Sequence, residues 1–358
     1  MRKTAAKLLA AAAIATSVAT VAAGTAVADP AAGVTPIAQD IVGVGSDTTQ
    51  EVLNGLSGGY NAALAAAGDT TSPRLYSFDA TGSAQITSKA GTSPFDRPNG
   101  SGAGIKSLET RTSTQVDFAR SSRGPANGTD LTSDVFIAFA RDAVSWAAKA
   151  GGNAPANLTT ANLKDIYTCA KTNWQQINPA LPNATIKPYL PQTASGTRAF
   201  FLKAIGGATA VTPGACVVSG LQENTGTEAA LNDNNAVVPY SVAHYIGQVY
   251  YGHTSTNDAA GPVTIRNVNG IAPVNVGPPA VINPSFSSTP YGRNVYNVVR
   301  SSEWTATDAH GVALRKIFGT ANPDGTGGYI CGTAGAAILT NYGFGSLGSA
   351  CGTEISPV

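Results

Sequence analysis

The sequence predicts an α/β protein that folds in two lobes with a cleft between them. A strand, a loop rich in Gly, Ser and Thr, and a helix recur along the chain, which is typical of α/β domains with mainly parallel pairing. About 330 residues remain after an N-terminal leader, which is too many for one small core. The hydrophobic content of 43% excludes general disorder.

The leader, residues 1–28, is predicted to be a secretory signal. Arg2 and Lys3 give a basic start, the run from Ala5 to Val21 is apolar, and residues 26–28 have the small-x-small pattern that signal peptidases cleave. The run is short and rich in alanine, and no stop-transfer charges follow it, which favours a signal over a membrane anchor. We expect cleavage after Ala28 and, because no cysteine stands there, a secreted chain without a lipid anchor.

Each element is predicted from an apolar run with the length and spacing of a strand or a helix. The predicted strands are Ile41–Val44, Leu75–Phe78, Val116–Arg120, Ile186–Leu190, Ala236–Tyr240 and Asn294–Val299. The predicted helices are Val52–Tyr60, a short helix from the Asn99–Lys106 loop through Leu108, Leu163–Tyr167, Phe200–Ile205, a helix after Tyr240 through Ile246, and Val312–Ile317. Asp47 stands three residues before Gln50, which predicts a start of the first helix that resembles a capping box.

The apolar segment from Val135 to Ala148 is expected to cross between the lobes. The predicted division is a flexible lead-in at 29–40, a discontinuous lobe I at 41–137 and 242–358, and lobe II at 138–241. Hinges are expected near residues 136–140 and 238–241.

The charge balance limits the possible partners. The net charge is +1 and only 12% of the residues are charged, whereas a nucleic-acid-binding protein would show a basic excess. No nucleic-acid partner is therefore expected, and a hydrophilic surface of low charge suits a monomer.

Four cysteines, Cys169, Cys216, Cys331 and Cys351, all follow the leader. An even number in an exported chain indicates two disulfides, and three pairings are possible. We favour Cys169–Cys216 and Cys331–Cys351, because sequence neighbours then share a lobe. Zinc is the alternative, but the chain has no C-x-x-C motif and its histidines are not at ligand spacing. No metal and no cofactor are expected.

Four loops that follow strands carry the groups that could bind a ligand. Helix starts and tight turns leave backbone N–H groups free, which suits anions, and ligands of open α/β sheets bind beyond the carboxyl ends of the strands. If these loops converge, they form a hydrogen-bonding cage for a small oxyanion. Each loop alone is weak evidence, since Ser-Gly-Thr at a helix start is more often a simple cap.

Two other classes of function compete with a binding protein. A secreted hydrolase would need a nucleophile elbow or a metal motif, and the chain has neither Gly-x-Ser-x-Gly nor His-Glu-x-x-His. A wall-associated β protein would suit the low charge and the abundant Ser, Thr and Asn, but the predicted helices argue against it. We therefore expect no enzymatic activity.

The order and spacing of the loops, from about Asp40 to Gly247, resemble the phosphate-binding proteins of ABC transporters, which have the type 2 periplasmic-binding-protein fold. Residues 195–198, Ser-Gly-Thr-Arg after a strand and before an aromatic-rich helix, resemble the most specific motif of that family. Residues 43–48, 99–108 and 116–122 are similar to its three other ligand loops, and residues 158–174 to a helix-and-tryptophan stretch of its second lobe.

The resemblance implies an extracytoplasmic protein that binds phosphate between its lobes and delivers it to an ABC permease. The ligand-binding candidates that it implies are Asp47, Thr48, Ser101, Ser122, Ser195, Gly196 and Thr197. We add Gly102, Arg123 and Arg198 of the same loops as further candidates.

This chain departs from the family pattern at two positions. Ser122 stands where some members have Asp, and Pro191 stands where many have Arg. We hypothesise that Asp47 accepts a hydrogen bond from a protonated oxyanion while Arg123 or Arg198 supplies positive charge; the alternative is that Asp47 only caps its helix. A different ligand, or a scavenging or sensing role on the same fold, also stays open.

Overall fold

The computed structural model of the protein describes residues 29–31, 33–255, 258–320 and 328–358. The predicted signal sequence and its cleavage site lie outside the described residues. The strands are β1 Ile41–Gly45, β2 Leu75–Ser77, β3 Gln85–Ile86, β4 Phe95–Asp96, β5 Phe118–Ser121, β6 Asp134–Lys149, β7 Asn157–Leu158, β8 Lys187–Pro191, β9 Val218–Leu221, β10 Ala236–Ser241, β11 Val263–Ile265, β12 Asn267–Val268, β13 Val274–Asn275, β14 Val281–Ile282, β15 Gly292–Arg300 and β16 Glu354–Ile355. The helices are α1 Gln50–Ala66, α2 Ser101–Thr110, α3 Thr160–Tyr167, α4 Trp174–Ile177, α5 Gly196–Gly206, α6 Val242–Tyr250, α7 Pro284–Ser287, α8 Ser301–Trp304, α9 Ala309–Phe318 and α10 Thr333–Asn341.

The predicted α/β fold is confirmed by one large sheet in the order β2-β1-β5-β15-β6-β10-β8-β9. The strands on each flank pair in parallel: β1 with β2 and β5, and β8 with β9 and β10. In the centre, β15 pairs antiparallel with both β5 and β6, and β10 pairs antiparallel with β6. The mainly parallel pairing expected from the sequence therefore holds on the flanks and is interrupted in the middle.

The long strand β6 joins the two flanks. Its first part, up to Ala143, pairs with β15, and its remainder, from Val144, pairs with β10 and β11. This is the apolar segment that was expected to cross between lobes. The bounds of lobes and hinges stay predictions.

Helices cover both faces of the first flank because alternate side chains of β1 point to opposite sides. Ile41 packs in one apolar cluster with Leu53 and Leu56 of α1. Val42 packs in a second cluster with Ile105 of α2. With both faces covered, the free part of this flank is the edge where the strands end, and the predicted ligand loops start there.

Two disulfides close loops within the chain, Cys169–Cys216 and Cys331–Cys351, and these are the pairings that we favoured from the sequence. The three tryptophans are buried. Among the described residues, none of the helices has the length and apolar character needed to cross a membrane.

Candidate functional site

Four loops meet at the edge of the sheet where β1, β5 and β8 end. The hydroxyl oxygens of Thr48 and Thr197 lie 3.0 Å apart. In the neighbouring pair of loops, the Ser122 amide donates to Ser101 Oγ at 3.0 Å, and the two serine hydroxyl oxygens lie 3.2 Å apart. All four residues are fully buried. The structure thus brings together hydroxyls from all four loops that the sequence singled out.

Two glycines, Gly196 and Gly102, lie where these loops contact one another. A Cβ atom on Gly196 would lie 2.5 Å from Ser122 Oγ and closer still to Ser101 Oγ, so a side chain there would displace both hydroxyls. The Gly102 amide donates to the carbonyl of Ala194 at 2.9 Å. Gly102 therefore ties the second loop to the fourth instead of leaving its amide free.

Ser195 behaves as the cap that the sequence offered as the simpler interpretation. It is the N-cap of α5, and its Oγ accepts a hydrogen bond from the Arg198 amide at 3.0 Å. Such a cap satisfies one of the amides that a helix start leaves unpaired. Its contribution is to fix the start of the helix that carries Gly196 and Thr197.

The two arginines predicted from the sequence are engaged away from these hydroxyls. The Arg123 guanidinium forms a two-point ion pair with Asp130, with N–O distances of 2.6 and 2.7 Å. Arg198 donates to the Pro191 carbonyl and to Ser219 Oγ, both at 2.9 Å. Neither guanidinium is drawn to the loop cluster, because each finds local acceptors.

Asp47 does not cap α1, so the prediction of a capping-box-like start is wrong. The N-cap is Thr49, which makes no side-chain capping bond within the described part of the chain. The Asp47 carboxylate instead accepts hydrogen bonds from Gln222 Nε2 at 2.7 Å and Asn224 Nδ2 at 3.1 Å, which lie across the cluster. Burial, together with the charges of Asp258 and Glu223, raises the pKa of Asp47 well above its usual range.

A buried ion pair that the sequence did not reveal lies next to Thr197. Arg293 of β15 donates from Nη2 to Thr197 Oγ1 at 2.9 Å. The same guanidinium pairs with Asp142 of β6, with Nη2–Oδ2 at 2.7 Å and Nε–Oδ2 at 2.9 Å. In the sequence, Arg293 directly precedes the predicted strand that starts at Asn294, and it belongs to no recognised motif. Only the three-dimensional structure therefore connects it to the loops.

Glu223 is the second residue that sequence reasoning missed. Its Oε1 accepts a short hydrogen bond from the Thr48 hydroxyl, and its Oε2 is buried with no hydrogen-bond partner in the part of the chain that the structure describes. Since Thr48 donates to Glu223 and Arg293 donates to Thr197, the Thr197 hydroxyl must donate to Thr48. The two threonines therefore form a polarised bridge with a cation at one end and a carboxylate at the other.

A histidine supports the Thr48 end from behind. His244 Nδ1 lies 3.0 Å from the Thr48 carbonyl oxygen, and its Nε2 lies 2.6 Å from Asp258 Oδ1. Burial alone would lower the pKa of His244, but the charge and hydrogen bond of Asp258 outweigh it and raise the pKa to about 10. A protonated ring donates at both nitrogens and so fixes the backbone of the first loop. Among the described residues, no three His, Cys, Asp or Glu side chains are grouped so that they could hold a metal ion.

Comparison with solved structures finds the same fold in phosphate-binding proteins. A putative phosphate ABC transporter substrate-binding protein from Clostridium perfringens, solved with bound phosphate, has a TM-score of 0.56 at 17% identity, over 86% of this chain and 99% of that one. An ABC-type phosphate transport receptor from Vibrio cholerae has a TM-score of 0.54 at 16% identity, over 86% and 99%. A phosphate-binding protein from Stenotrophomonas maltophilia has a TM-score of 0.51 at 14% identity, over 87% and 91%.

Sequence comparison identifies the family. No curated protein sequence matches this chain significantly. The family model described as the PBP superfamily domain, PBP standing for periplasmic-binding protein, matches residues 30–307, which is more than half of the chain. The chain belongs to the PBP superfamily.

Proposed function

We propose that this protein is an extracytoplasmic solute-binding protein that binds a small oxyanion, with phosphate favoured, between two lobes. The convergence of buried hydroxyls from four loops, at Thr48, Ser101, Ser122 and Thr197, carries the proposal. Hydroxyls and the free amides of a helix start bind oxyanions without formal charge, because the helix start carries partial positive charge. Structural neighbours that are named as phosphate-binding proteins support the choice of ligand.

The proposed role is uptake, with delivery of the solute to an ABC permease, and binding rather than catalysis. Membership of a periplasmic-binding-protein superfamily and two disulfides support a location outside the cytoplasm. We further propose that the lobes are residues 41–137 with 242–358, and 138–241, and that they close on the solute by hinge motion, as a monomer.

A second candidate ligand class is favoured by the carboxylates near Thr48. Glu223, Asp47 and Asp258 are all buried there, and the charges of Glu223 and Asp258 help to raise the pKa of Asp47, so this end repels a bare anion. An oxyanion that carries its own hydrogen-bond donor, such as a proton or an ammonium group, fits this end better than a bare dianion. Aminoalkylphosphonates belong to this class.

Thermal shift and titration calorimetry on the chain from Asp29 onward test the proposed function. The panel holds phosphate, sulfate, molybdate, methylphosphonate, 2-aminoethylphosphonate, two sugars and two amino acids. A ligand that binds only the folded state stabilises it by mass action and so raises the melting temperature. At a ligand concentration of 100 times Kd, the free energy of unfolding rises by about 2.7 kcal/mol. We expect a rise with phosphate or an aminophosphonate; a rise with none of the oxyanions would contradict the proposal.

A glycine pair provides the matched control. Gly196→Ala places a methyl group against both site serines, whereas a Cβ on Gly58, in α1, meets nothing within 4 Å. We expect Gly196→Ala to abolish the ligand-induced shift and Gly58→Ala to retain it. Equal shifts in both variants would place the solute elsewhere.

A further inference from the structure

We propose that Arg293, on a strand outside the four loops, is the cationic ligand of the bound oxyanion, and that Asp142 positions its guanidinium. This inference rests on the proposed oxyanion function and names the residue that supplies its charge. It replaces the sequence hypothesis that Arg123 or Arg198 does so.

The first support is an unsatisfied donor. The Arg293 side chain is 2% exposed, and its Nη1 has no hydrogen-bond partner among the residues that the structure describes. A buried guanidinium donor without a partner is unfavourable, and few such groups occur in folded proteins. The other terminal nitrogen of Arg293, Nη2, already donates to the Thr197 hydroxyl. An oxyanion bound at Thr197 would therefore lie within reach of the same guanidinium.

The second support is rigidity. Arg293 and Asp142 are register partners in the ladder between β15 and β6. The Asp142 carboxylate also accepts hydrogen bonds from Ser241 Oγ, at 2.9 and 3.0 Å, and from the Ala243 amide, at 2.9 Å. A carboxylate held by three groups cannot turn away, and so the guanidinium fork is fixed before any solute arrives. The face of the Phe200 ring lies 5.5 Å from the guanidinium carbon and adds a weaker contact.

The third support is the state of the other arginines nearby. Arg123 is held by Asp130, and Arg198 by the Pro191 carbonyl and Ser219. Arg120 is fully buried and also has a nitrogen without a partner among the described residues, but it donates to the backbone carbonyls of Ser46 and Phe78 and to Ser77 Oγ. Arg120 thus braces the backbone under the first loop, whereas Arg293 contacts a hydroxyl of the loop cluster itself.

Calorimetry with inorganic phosphate at pH 7.5 tests this on the full mature chain. We expect Arg293→Gln to weaken binding at least about 100-fold and Arg293→Lys about 10-fold, because lysine keeps the charge and loses the fork. Arg198→Gln and Arg123→Gln are the matched controls and are expected to stay within about 3-fold of the wild type. The melting temperature without ligand reports folding of each variant; if Arg293→Gln does not fold, the comparison of Arg293→Lys with Arg198→Lys decides.

A double-mutant cycle tests the positioning role of Asp142. As a single substitution, Asp142→Asn should weaken phosphate binding about 10-fold. Added to Arg293→Gln, it should have little further effect. A purely structural role would give additive losses. Phosphate affinity that is unchanged in both Arg293→Gln and Arg293→Lys overturns the inference and leaves the proposed function standing. A wild type that binds no oxyanion overturns both.

Discussion

The two ends of the threonine bridge differ in charge although they carry the same hydroxyl group. At the Thr197 end, one arginine faces one aspartate, so the charges balance and, within the described chain, a donor is left over. At the Thr48 end, the carboxylates of Glu223 and Asp258 lie near one cationic histidine, and the Asp47 carboxyl, with its raised pKa, lies beside them, so negative charge is in excess. A solute that spans this bridge must therefore accept hydrogen bonds on one side and tolerate or donate to carboxylates on the other. The difference teaches that, under the proposed function, the charge around the hydroxyls would select the oxyanion more than the loops do.

After the loss of Arg293, the largest effect is expected where the two ends of the bridge meet. Thr197→Val removes the hydroxyl that accepts from Arg293 and contacts Thr48, and leaves a second guanidinium nitrogen without that acceptor. Hydrogen bonds to charged groups are worth about 1.5–3 kcal/mol, so phosphate affinity should fall roughly 10- to 100-fold. Calorimetry measures the change, with Thr110→Val as the control, since that hydroxyl is exposed and donates to the Lys106 carbonyl. If both variants bind phosphate with equal affinity, Thr197 does not contribute to binding.

The acidic end is expected to control selectivity. Glu223→Gln keeps an acceptor for the Thr48 hydroxyl and removes a buried charge that repels a dianion. Because sulfate carries no proton at neutral pH, its affinity should rise about 10-fold more than that of phosphate. Competition titrations of the two anions give this ratio, and Glu228→Gln, in the same segment, should leave it unchanged. An unchanged ratio in Glu223→Gln would mean that the carboxylate does not face the solute.

Asp47 should make binding depend on pH. Its raised pKa means that it ionises at a higher pH than an ordinary aspartate, and the charge gained on ionisation repels the bound anion. Wild-type affinity should therefore fall with rising pH by roughly 3- to 10-fold more than that of Asp47→Asn. The difference between the two pH profiles cancels the titration of phosphate itself. If the two profiles coincide, Asp47 has no part in binding.

His244 should affect stability more than binding. Its pKa is about 10 in the folded protein and 6.5 for an unperturbed histidine, so its contribution is fully present below pH 6.5 and is lost as pH rises towards 10. The wild type should melt about 3–10 °C above His244→Gln near pH 6, and this gap should shrink by pH 10. Thermal denaturation across that pH range measures the gap; a constant gap would contradict a protonated His244.

Local signals predicted much of the fold, and the family resemblance implied that the four loops meet. The strands before Thr48 and Ser122 could be predicted because the residues that end a strand and form the next loop, such as Gly and Ser, are adjacent in the sequence. The capping role of Asp47 was predicted wrongly, because its amide partners Gln222 and Asn224 are remote in sequence. Arg293 could not be predicted for the same reason, since burial and ion pairing of one arginine among many leave no periodic pattern.

The pairing of Arg293 with Asp142 has an evolutionary consequence. The two residues are 151 positions apart but adjacent across a ladder, and both are buried. Losing either one alone leaves an uncompensated charge in the interior, which is strongly destabilising. The two residues should therefore be retained or replaced together, so that relatives that lack the arginine lack the aspartate as well.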